Sequence, residues 1–353
     1  MAKVVGFGDL LVRFSPPGYQ RFLQADSYEI NYTGAEANVL VNLALNGVDT
    51  EFVTRLPQNL ISECAVAQLK KFGVGVKRIS FGGDRIGVYY LEKGASQRPS
   101  RLVYDRKYTS FATSSPSDYD WDSIFEGVTH FHFTGITPAL GSELPGICFA
   151  ACAQARARGI LTSCDLNYRA LLWDLETASK TMRRLMPLVD VLVCGREDSE
   201  KLLGVKPESK IVHGDAIDRE AYAAAAAELT RVYGFQTVAI TLRESLSASD
   251  NNWSGMLYTG NKAYFSKEYQ IHLVDRVGGG DSFTAGLLYA MIHGFDPQHA
   301  VEYAGAASCL KQTIEQDFNL SYADEVEQLA SGQASGKIQR IGHCPAAQNT
   351  GLK

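Results

Sequence analysis

Short apolar strands alternate with amphipathic helices through the middle of the chain. The strand patterns cover residues 129–133, 161–165, 189–194 and 237–242, and a helical pattern separates each pair. Consecutive strands joined by helices run parallel, because each crossover returns the chain to the same edge of the sheet. The alternation therefore predicts an α/β fold of three layers, in which a mostly parallel sheet is covered by helices on both faces.

Two segments outside this alternation have a different pattern. Residues of about 10–33 and 84–112 contain short alternating runs, rich in Val and Tyr and separated by turns. Such runs are typical of antiparallel strands. We predict that both segments form one small β-sheet, a lid over the end of the parallel sheet where ligands of open α/β folds bind. The predicted organisation is one domain over 1–335 with a split lid, followed by a polar tail over 336–353.

The composition argues against several classes of function. The chain has 34 Lys and Arg against 39 Asp and Glu, a formal net charge of −5. Proteins that bind nucleic acid or anionic membranes are usually basic, so neither partner is expected. No apolar run approaches the ~18 residues of a membrane helix, and no signal-peptide pattern occurs. The seven cysteines have no disulfide or zinc spacing, which predicts free thiols and a cytoplasmic location.

The strongest local motif is DRVGGGDSF at 275–283. Gly278, Gly279 and Gly280 precede a helical pattern, and consecutive glycines let several backbone N–H groups converge on one point. The positive end of the helix dipole adds to this, so the segment suits a phosphoryl group in transfer. Asp281 lies at the mouth of this anion site, where its carboxylate can accept a proton from an attacking hydroxyl. The alternative interpretation is an ordinary acidic residue at a helix start.

These residues are similar to the C-terminal signature D-x-x-GAGD-x-F of the ribokinase-like (PfkB) carbohydrate kinases, with Gly279 in place of Ala. Residues 33–38 (TGAEAN) resemble the family's GGAxxN sugar-site turn, with Thr33 in place of the first Gly. The resemblance covers about residues 3–330. It implies the ribokinase-like fold, transfer of the γ-phosphate of ATP, Asp281 as the catalytic base, and sugar contacts from Gly34 and Asn38.

Four segments further resemble the 2-keto-3-deoxygluconate kinases of this family: 86–89, 103–106, 165–173 and 310–319. This resemblance implies a sugar-acid substrate that faces Tyr89 and Tyr104 of the lid. Arg106 and Arg169 would bind its carboxylate through charge-assisted hydrogen bonds. Asp9 aligns with an acidic ligand of sugar hydroxyls in the wider family. The alternative is that the tyrosines pack within their strands and that Arg169 is a surface residue.

The resemblance also implies a nucleotide side to the site. The residues expected to contact ATP are Thr241, Arg243, Lys311 and Asp198. The residues expected to bind Mg²⁺ are Glu197, Asp198 and Asp275. A monovalent cation is a further candidate cofactor. Residues 195–198 read GRED where family members usually have Asn-x-x-Glu, so Arg196 either contacts phosphate or alters the affinity for metal. The structural alternative is an acidic start to a helix predicted over 197–203.

Together these features favour an ATP-dependent kinase acting on the terminal hydroxyl of 2-keto-3-deoxygluconate. Three alternatives stay open. One is another family kinase, such as a fructokinase or a 5-dehydro-2-deoxygluconokinase; another is a catalytically impaired sugar or nucleotide sensor, suggested by the 195–198 segment. The third, a nucleoside kinase, is disfavoured by two lid arginines. The apolar, Tyr-rich lid strands favour a homo-oligomer, a dimer or larger.

Overall fold

The computed structural model describes residues 2–208 and 218–333, so the predicted tail at 336–353 lies outside the described residues. The strands are β1 Lys3–Phe7, β2 Leu11–Ser15, β3 Glu29–Thr33, β4 Asp49–Leu56, β5 Ile79–Phe81, β6 Gly87–Glu92, β7 Arg101–Asp105, β8 His130–Thr134, β9 Leu161–Asp165, β10 Val191–Gly195, β11 Thr237–Ser245, β12 Asp250–Thr259, β13 Lys262–Phe265 and β14 Tyr269–His272. The α-helices are α1 Ala35–Leu45, α2 Leu60–Lys71, α3 Trp121–Ile124, α4 Leu144–Ala157, α5 Leu175–Leu185, α6 Arg219–Tyr233, α7 Gly279–Ile292, α8 Pro297–Lys311 and α9 Ala323–Ala330.

Ten strands form the main sheet, in the order β13-β12-β11-β10-β9-β8-β1-β4-β5, with β14 paired to β12. From β11 to β5 every neighbouring pair runs parallel, and β12 to β14 add an antiparallel edge. The predicted, mostly parallel sheet is confirmed. The carboxyl ends of β1, β8, β9, β10 and β11 therefore lie along one edge, which is where ligands bind in such sheets.

Alternate residues of the strands pack into cores on opposite faces of the main sheet. On β1, Val5 and Phe7 pack with α4 and α5, whereas Val4 packs with α1 and α2. On β10, Leu192 belongs to the first of these cores and Val193 to a core formed with α7 and α8. Helices thus cover both faces, as predicted. Side-chain caps begin several of them, at Asn59, Asp174, Asp218 and Asp296.

A separate sheet of four strands, in the order β3-β2-β6-β7, lies over the carboxyl edge of the main sheet. It is built from the two segments predicted to form the lid, so the prediction of one small sheet is confirmed. Its inner face has a small apolar core of Leu11, Tyr89 and Leu91, which packs against Tyr104 and Val277. Since Val277 immediately precedes the glycine turn, the lid sheet and the anion site are in direct contact.

The helix predicted over 197–203 is present but begins later. It spans Ser199–Leu203 as a single turn of π-helix, and Gly204 ends it in the left-handed conformation. Asp198 precedes the turn and accepts a hydrogen bond from the amide of Gly195 at 3.2 Å. That local bond keeps 195–198 as a turn at the end of β10, which sequence periodicity does not reveal.

Two further observations concern the described part of the chain. No helix within 2–208 and 218–333 combines the length and the apolar character that crossing a bilayer requires. The cysteines in these ranges are all free thiols.

Candidate active site

A cleft of about 1130 Å³ opens between the carboxyl edge of the main sheet and the lid sheet. It is lined by the turns after β1, β9 and β10, by the carboxyl half of β11, by the starts of α1 and α7, and by the lid. Most of the residues assigned from the sequence line it: Asp9, Gly34, Asn38, Tyr89, Tyr104, Arg106, Arg169, Glu197, Asp198, Thr241, Arg243, Gly278, Gly279, Gly280 and Asp281. Asp275 and Lys311 lie behind the glycine turn instead.

The glycine turn has the geometry of an anion site. Gly278 adopts a left-handed φ of 84°, and a Cβ there would lie 2.1 Å from the carbonyl oxygen of Asp317, so only glycine fits. A Cβ at Gly280 would meet no atom within 4 Å, because this position faces the open cleft. Within the described residues, the amides of Gly280 and Asp281 have no backbone acceptor. They are first-turn N–H groups of α7 and can bind an anionic ligand.

Asp281 lies in the first turn of α7, beside these amides. Asn38 Nδ2 donates a hydrogen bond to Asp281 Oδ2 at 2.6 Å. Burial raises the pKa of Asp281 to about 7, against the opposing effects of the Asn38 bond and the nearby Arg169 charge. A carboxylate with this pKa is available as a base near neutral pH. The structure thus places the predicted base at the anion site.

A second acid with a raised pKa ends β9. Burial raises the pKa of Asp165 to about 8, and the negative charges of Asp281 and Asp198 add to the shift. Its Oδ1 accepts the amide of Asn167 at 3.1 Å. Asp165 had no role assigned from the sequence. The available signal was an acid placed directly after a buried strand, at the edge where ligands bind.

The two arginines assigned to a substrate carboxylate have different surroundings. Arg106 is buried, with Nη2 3.3 Å from Asp9 Oδ2 and its guanidinium over the ring of Tyr104. Burial raises the pKa of Asp9 to about 6, and Arg106 opposes the shift. Arg169 is exposed in the cleft, and among the described residues its one hydrogen bond is from Nη1 to the carbonyl of Tyr168 at 3.3 Å. Arg169 is therefore the better placed of the two to bind a carboxylate.

Asp275 and Lys311, which the sequence analysis assigned to metal and nucleotide, are engaged in the interior. Asp275 Oδ2 accepts a hydrogen bond from Arg13 Nη2 at 2.5 Å, and both side chains are 2% exposed. Lys311 is fully buried, and its Nζ donates to the carbonyl oxygens of Asp275 (3.1 Å) and Ile314 (3.2 Å). These bonds support the backbone before the glycine turn, and the assigned roles of both residues stay predictions.

On the nucleotide side, Thr241 and Arg243 lie on β11 and line the cleft, and Thr241 Oγ1 donates to the carbonyl of Cys194 at 3.4 Å. Glu197 is exposed and paired with Lys201 at 2.5 Å. Asp198 is half-buried, and burial raises its pKa. These side chains leave open space beside the glycine turn.

The acids of the cleft fit a magnesium ion that keeps most of its waters. Mg²⁺ in phosphoryl-transfer sites is usually held by one or two carboxylates together with substrate phosphates. Asp198 supplies a carboxylate at the cleft wall, and Glu197 is next to it. Across residues 2–208 and 218–333, no group of three or more His, Cys, Asp or Glu is arranged to hold an ion alone. The donor set therefore suits an ion held chiefly through phosphates and water.

A buried ion pair in the lid was missed by the sequence analysis. Arg13 on β2 pairs with Asp317, and the Tyr89 hydroxyl donates to the same carboxylate. Tyr89 lines the cleft but is only 4% exposed, and its hydroxyl is engaged by the Asp317 carboxylate. The available signal was an Arg within the apolar strand LVRFS, since a buried cation needs a partner.

A further missed residue is Glu36 on α1, which is 2% exposed. Its Oε1 accepts hydrogen bonds from Thr134 N at 2.9 Å, Thr134 Oγ1 at 2.8 Å and Thr137 Oγ1 at 2.7 Å. Burial raises its pKa, and these donors oppose the shift. Glu36 thereby fixes the turn after β8 against the start of α1, beside Gly34. At Gly34 a Cβ would lie 2.1 Å from the Asp9 carbonyl, so the close approach requires glycine.

The chain is similar to several known carbohydrate kinases. The chain is 50% identical to the solved 2-dehydro-3-deoxygluconokinase from Thermotoga maritima, with a TM-score of 0.91 over 94% of this chain and 100% of that one. It is 31% identical to a 2-dehydro-3-deoxygalactonokinase from Haloferax volcanii, over 95% and 98% of the two chains. It is 26% identical to a 2-dehydro-3-deoxygluconokinase from Bacillus subtilis, over 87% and 88%.

The family model described as pfkB family carbohydrate kinase matches residues 1–316. This range contains the main sheet, the lid sheet and the glycine turn with Asp281. This match over most of the chain, together with the cleft described above, shows that the chain belongs to the pfkB family of carbohydrate kinases.

Proposed function

We propose that this protein is an ATP-dependent kinase that phosphorylates the terminal hydroxyl of 2-keto-3-deoxygluconate, also named 2-dehydro-3-deoxygluconate. Kinases of this family use ATP with a divalent metal. The observation that carries the proposal is that one cleft holds Asp281 at an anion site and the exposed guanidinium of Arg169. A sugar acid requires both, because its hydroxyl must lose a proton and its carboxylate needs a cation.

In the proposed reaction, the terminal hydroxyl oxygen of the sugar attacks the γ-phosphorus of ATP. A new P–O bond forms, the bond from that phosphorus to ADP breaks, and the hydroxyl proton passes to Asp281. The amides of the turn Gly278–Gly280 and the first turn of α7 stabilise the charge on the transferring group. Bound Mg²⁺ supplies charge neutralisation on the phosphates, and Asp198 and Glu197 would hold it. Phosphoryl transfer depends mainly on such positioning and charge.

The remaining assigned residues hold the substrates. Arg169 binds the sugar carboxylate, and Arg106, already paired with Asp9, orients that acid toward sugar hydroxyls. Tyr104 and the turn at Gly34 and Asn38 complete the sugar side, and Thr241 and Arg243 lie on the nucleotide side. The lid excludes water from the phosphoryl group, which limits ATP hydrolysis. Association into a homo-oligomer, use of a monovalent cation and a cytoplasmic location belong to the same proposal.

The test is a coupled ADP-release assay over a panel of acceptors. The panel contains 2-keto-3-deoxygluconate, its galactonate epimer, 5-dehydro-2-deoxygluconate, fructose and a nucleoside, with a no-acceptor control. We expect kcat/KM for the 2-keto-3-deoxy acids to exceed that for fructose by about 10²-fold or more, because a neutral sugar leaves the arginine unpaired. A preference for a neutral sugar would overturn the substrate assignment. ATP binding without transfer to any acceptor would favour the sensor alternative.

The galactonate epimer is a second candidate substrate. The ratio of kcat/KM for the two epimers in the same panel shows which of them the protein prefers. The Haloferax volcanii relative is named for the galactonate acid, and the Thermotoga maritima structure for the gluconate acid. The higher identity to the latter, 50% against 31%, favours the gluconate epimer.

Replacing Arg169 with Met should raise KM for the sugar acid by about 10²-fold, because a charged hydrogen bond contributes roughly 1.5–3 kcal/mol. The Arg169→Lys variant keeps the charge but loses bidentate geometry, so an intermediate loss is expected. Initial rates with a sugar acid and with fructose, at saturating ATP, separate this effect from general damage. Equal proportional losses on both acceptors would contradict the role in carboxylate binding.

The pH dependence of kcat/KM should have an acidic limb near pH 7. Burial raises the pKa of Asp281 to about 7, and only the ionised carboxylate accepts the hydroxyl proton. Activity is therefore expected to fall about tenfold for each pH unit below this value and to level off above it. Rates measured from pH 5 to 8, with folding checked by circular dichroism at each pH, test this. A flat profile over that range would contradict general-base catalysis by Asp281.

A further inference from the structure

Side chains from three strands of the lid sheet converge on one buried carboxylate, that of Asp317. Arg13 on β2 pairs with Asp317 Oδ1, and the Tyr89 hydroxyl on β6 donates to Oδ2. Thr33 Oγ1, at the end of β3, lies 2.7 Å from the same Oδ2. Arg13, Asp317 and Thr33 are each 2% exposed. Three strands of the lid sheet are thus tied to the main domain at this carboxylate.

The contacts continue from Thr33 to Asp281. Thr33 Oγ1 lies 2.9 Å from Asn38 Oδ1, and Asn38 Nδ2 donates to Asp281 Oδ2 at 2.6 Å. The Asn38 amide has one orientation here, since its nitrogen must face a carboxylate and its oxygen the hydroxyl. The single hydroxyl proton of Thr33 lies between two acceptors, Asn38 Oδ1 and Asp317 Oδ2. Thr33 therefore joins the lid carboxylate to the amide that holds Asp281.

The charges of this group explain why it keeps its geometry. The Arg13 guanidinium is shared by Asp317 and Asp275, and Lys93 Nζ lies 4.0 Å from Asp275 Oδ2. A buried charge is tolerated only while its partners are in place, so a displaced lid strand would leave one unpaired. Networks of this kind are rigid when every member is satisfied. Because the lid sheet has a well-defined position, the Thr33 hydroxyl also has a well-defined position.

We propose that Asp317 and Thr33 are positioning residues for phosphoryl transfer. The Asp317 carboxylate binds side chains from three lid strands. Thr33 couples the position of those strands, through Asn38, to the orientation of the Asp281 carboxylate. This inference rests on the proposed function, because it gives Asp281 the role of base. Its consequence is that the base is held in its working orientation only while the lid strands are in place. Such coupling favours transfer to a sugar enclosed under the lid over hydrolysis of ATP.

The first test uses matched substitutions at Thr33. Thr33→Val keeps the shape and removes the hydroxyl, whereas Thr33→Ser keeps the hydroxyl. We expect kcat of the Val variant to fall about tenfold with KM for ATP within about twofold of wild type, the size of one lost hydrogen bond. The Ser variant should stay within about threefold of wild-type kcat. Wild-type kcat in the Val variant, or equal damage in both, would overturn the proposal.

A second measurement does not require turnover. The Asp281 carboxyl can be titrated by ¹³C NMR in the protein without substrates. In Thr33→Val the Asn38 donor is less firmly held, so the midpoint should move upward by about half a pH unit. Tyr90→Phe is the control: Tyr90 lies next to Tyr89 on β6 of the lid sheet, and its replacement should leave the midpoint unchanged. An unchanged midpoint in Thr33→Val would overturn the inference, whereas failure of wild type to phosphorylate sugar acids overturns the proposed function.

A double-mutant cycle tests the role of Asp317. Asp317→Asn alone should lower kcat about tenfold and lower the melting temperature, because Arg13 loses a charged partner. If Thr33 and Asp317 act through one chain of contacts, the double variant should lose no more kcat than the more damaged single variant. Losses that multiply would show independent effects and contradict the proposed chain.

Discussion

Replacement of Asp281 by Asn is expected to lower kcat for phosphoryl transfer by about 10³-fold, while ATP and the sugar acid still bind. The amide keeps the size of the side chain but does not accept the hydroxyl proton. Single-turnover rates and calorimetric titration with each substrate separate chemistry from binding. Calorimetric affinities near wild type, together with the lost rate, are the expected combination.

The matched control is Asp296→Asn at the start of α8. Asp296 is a helix-capping acid that accepts hydrogen bonds from the amides of Gln298 and His299. Its replacement should lower stability by at most about 1 kcal/mol and leave kcat unchanged. If Asp281 were only an acid at a helix start, both substitutions would behave alike. Wild-type kcat in Asp281→Asn would therefore contradict the base assignment.

Adding a methyl group at Gly280 should lower the activity of the protein without lowering its stability. The Gly280→Ala side chain would meet no protein atom within 4 Å, and Ala is favoured over Gly in a helix by roughly 0.5–1 kcal/mol. The variant should therefore melt at or above the wild-type temperature. Because the methyl group would occupy the space assigned to the phosphoryl group, kcat/KM should fall about 10²-fold or more, as for other misplacements of reacting groups.

Gly278→Ala is the contrasting variant in the same turn. The left-handed φ of 84° and the 2.1 Å approach to the Asp317 carbonyl leave no room for a Cβ, so a loss of stability of roughly 1–3 kcal/mol is expected. Thermal denaturation and initial rates on both variants check the pair. Full activity in Gly280→Ala would show that the phosphoryl group does not lie against this turn.

The sequence predicted the parts of the fold and site that depend on local patterns. The strand–helix alternation at 129–242 was sufficient for the parallel sheet, and the glycine turn with Asp281 was found because it is contiguous. The two lid segments share a composition, which supported their assignment to one sheet. The order of strands in that sheet required the structure, since β2 and β6 are separated by more than seventy positions along the chain.

Contacts between distant residues were not accessible from sequence patterns. Arg13 and Asp317 are 304 positions apart, and although Asp317 lies in the segment 310–319 that resembles the family, no sequence pattern pairs it with Arg13. In the same way, no sequence pattern predicted that Arg106 pairs with Asp9. Because of that pairing, Arg169 is better placed than Arg106 to bind a substrate carboxylate. The helix was predicted from residue 197 rather than from Ser199, where it begins, because acids before an apolar run are compatible with a turn or with a helix start.

The most direct test of the central claim is a crystal structure of the complex with a sugar acid and an ATP analogue that does not transfer its γ-phosphate. We expect the terminal hydroxyl of the sugar at about 2.6–3.2 Å from the Asp281 carboxylate, within reach of the γ-phosphorus. The sugar carboxylate should lie against Arg169. A sugar bound in the reverse direction, or a hydroxyl beyond hydrogen-bond reach of Asp281 with the lid sheet in place, would contradict the account.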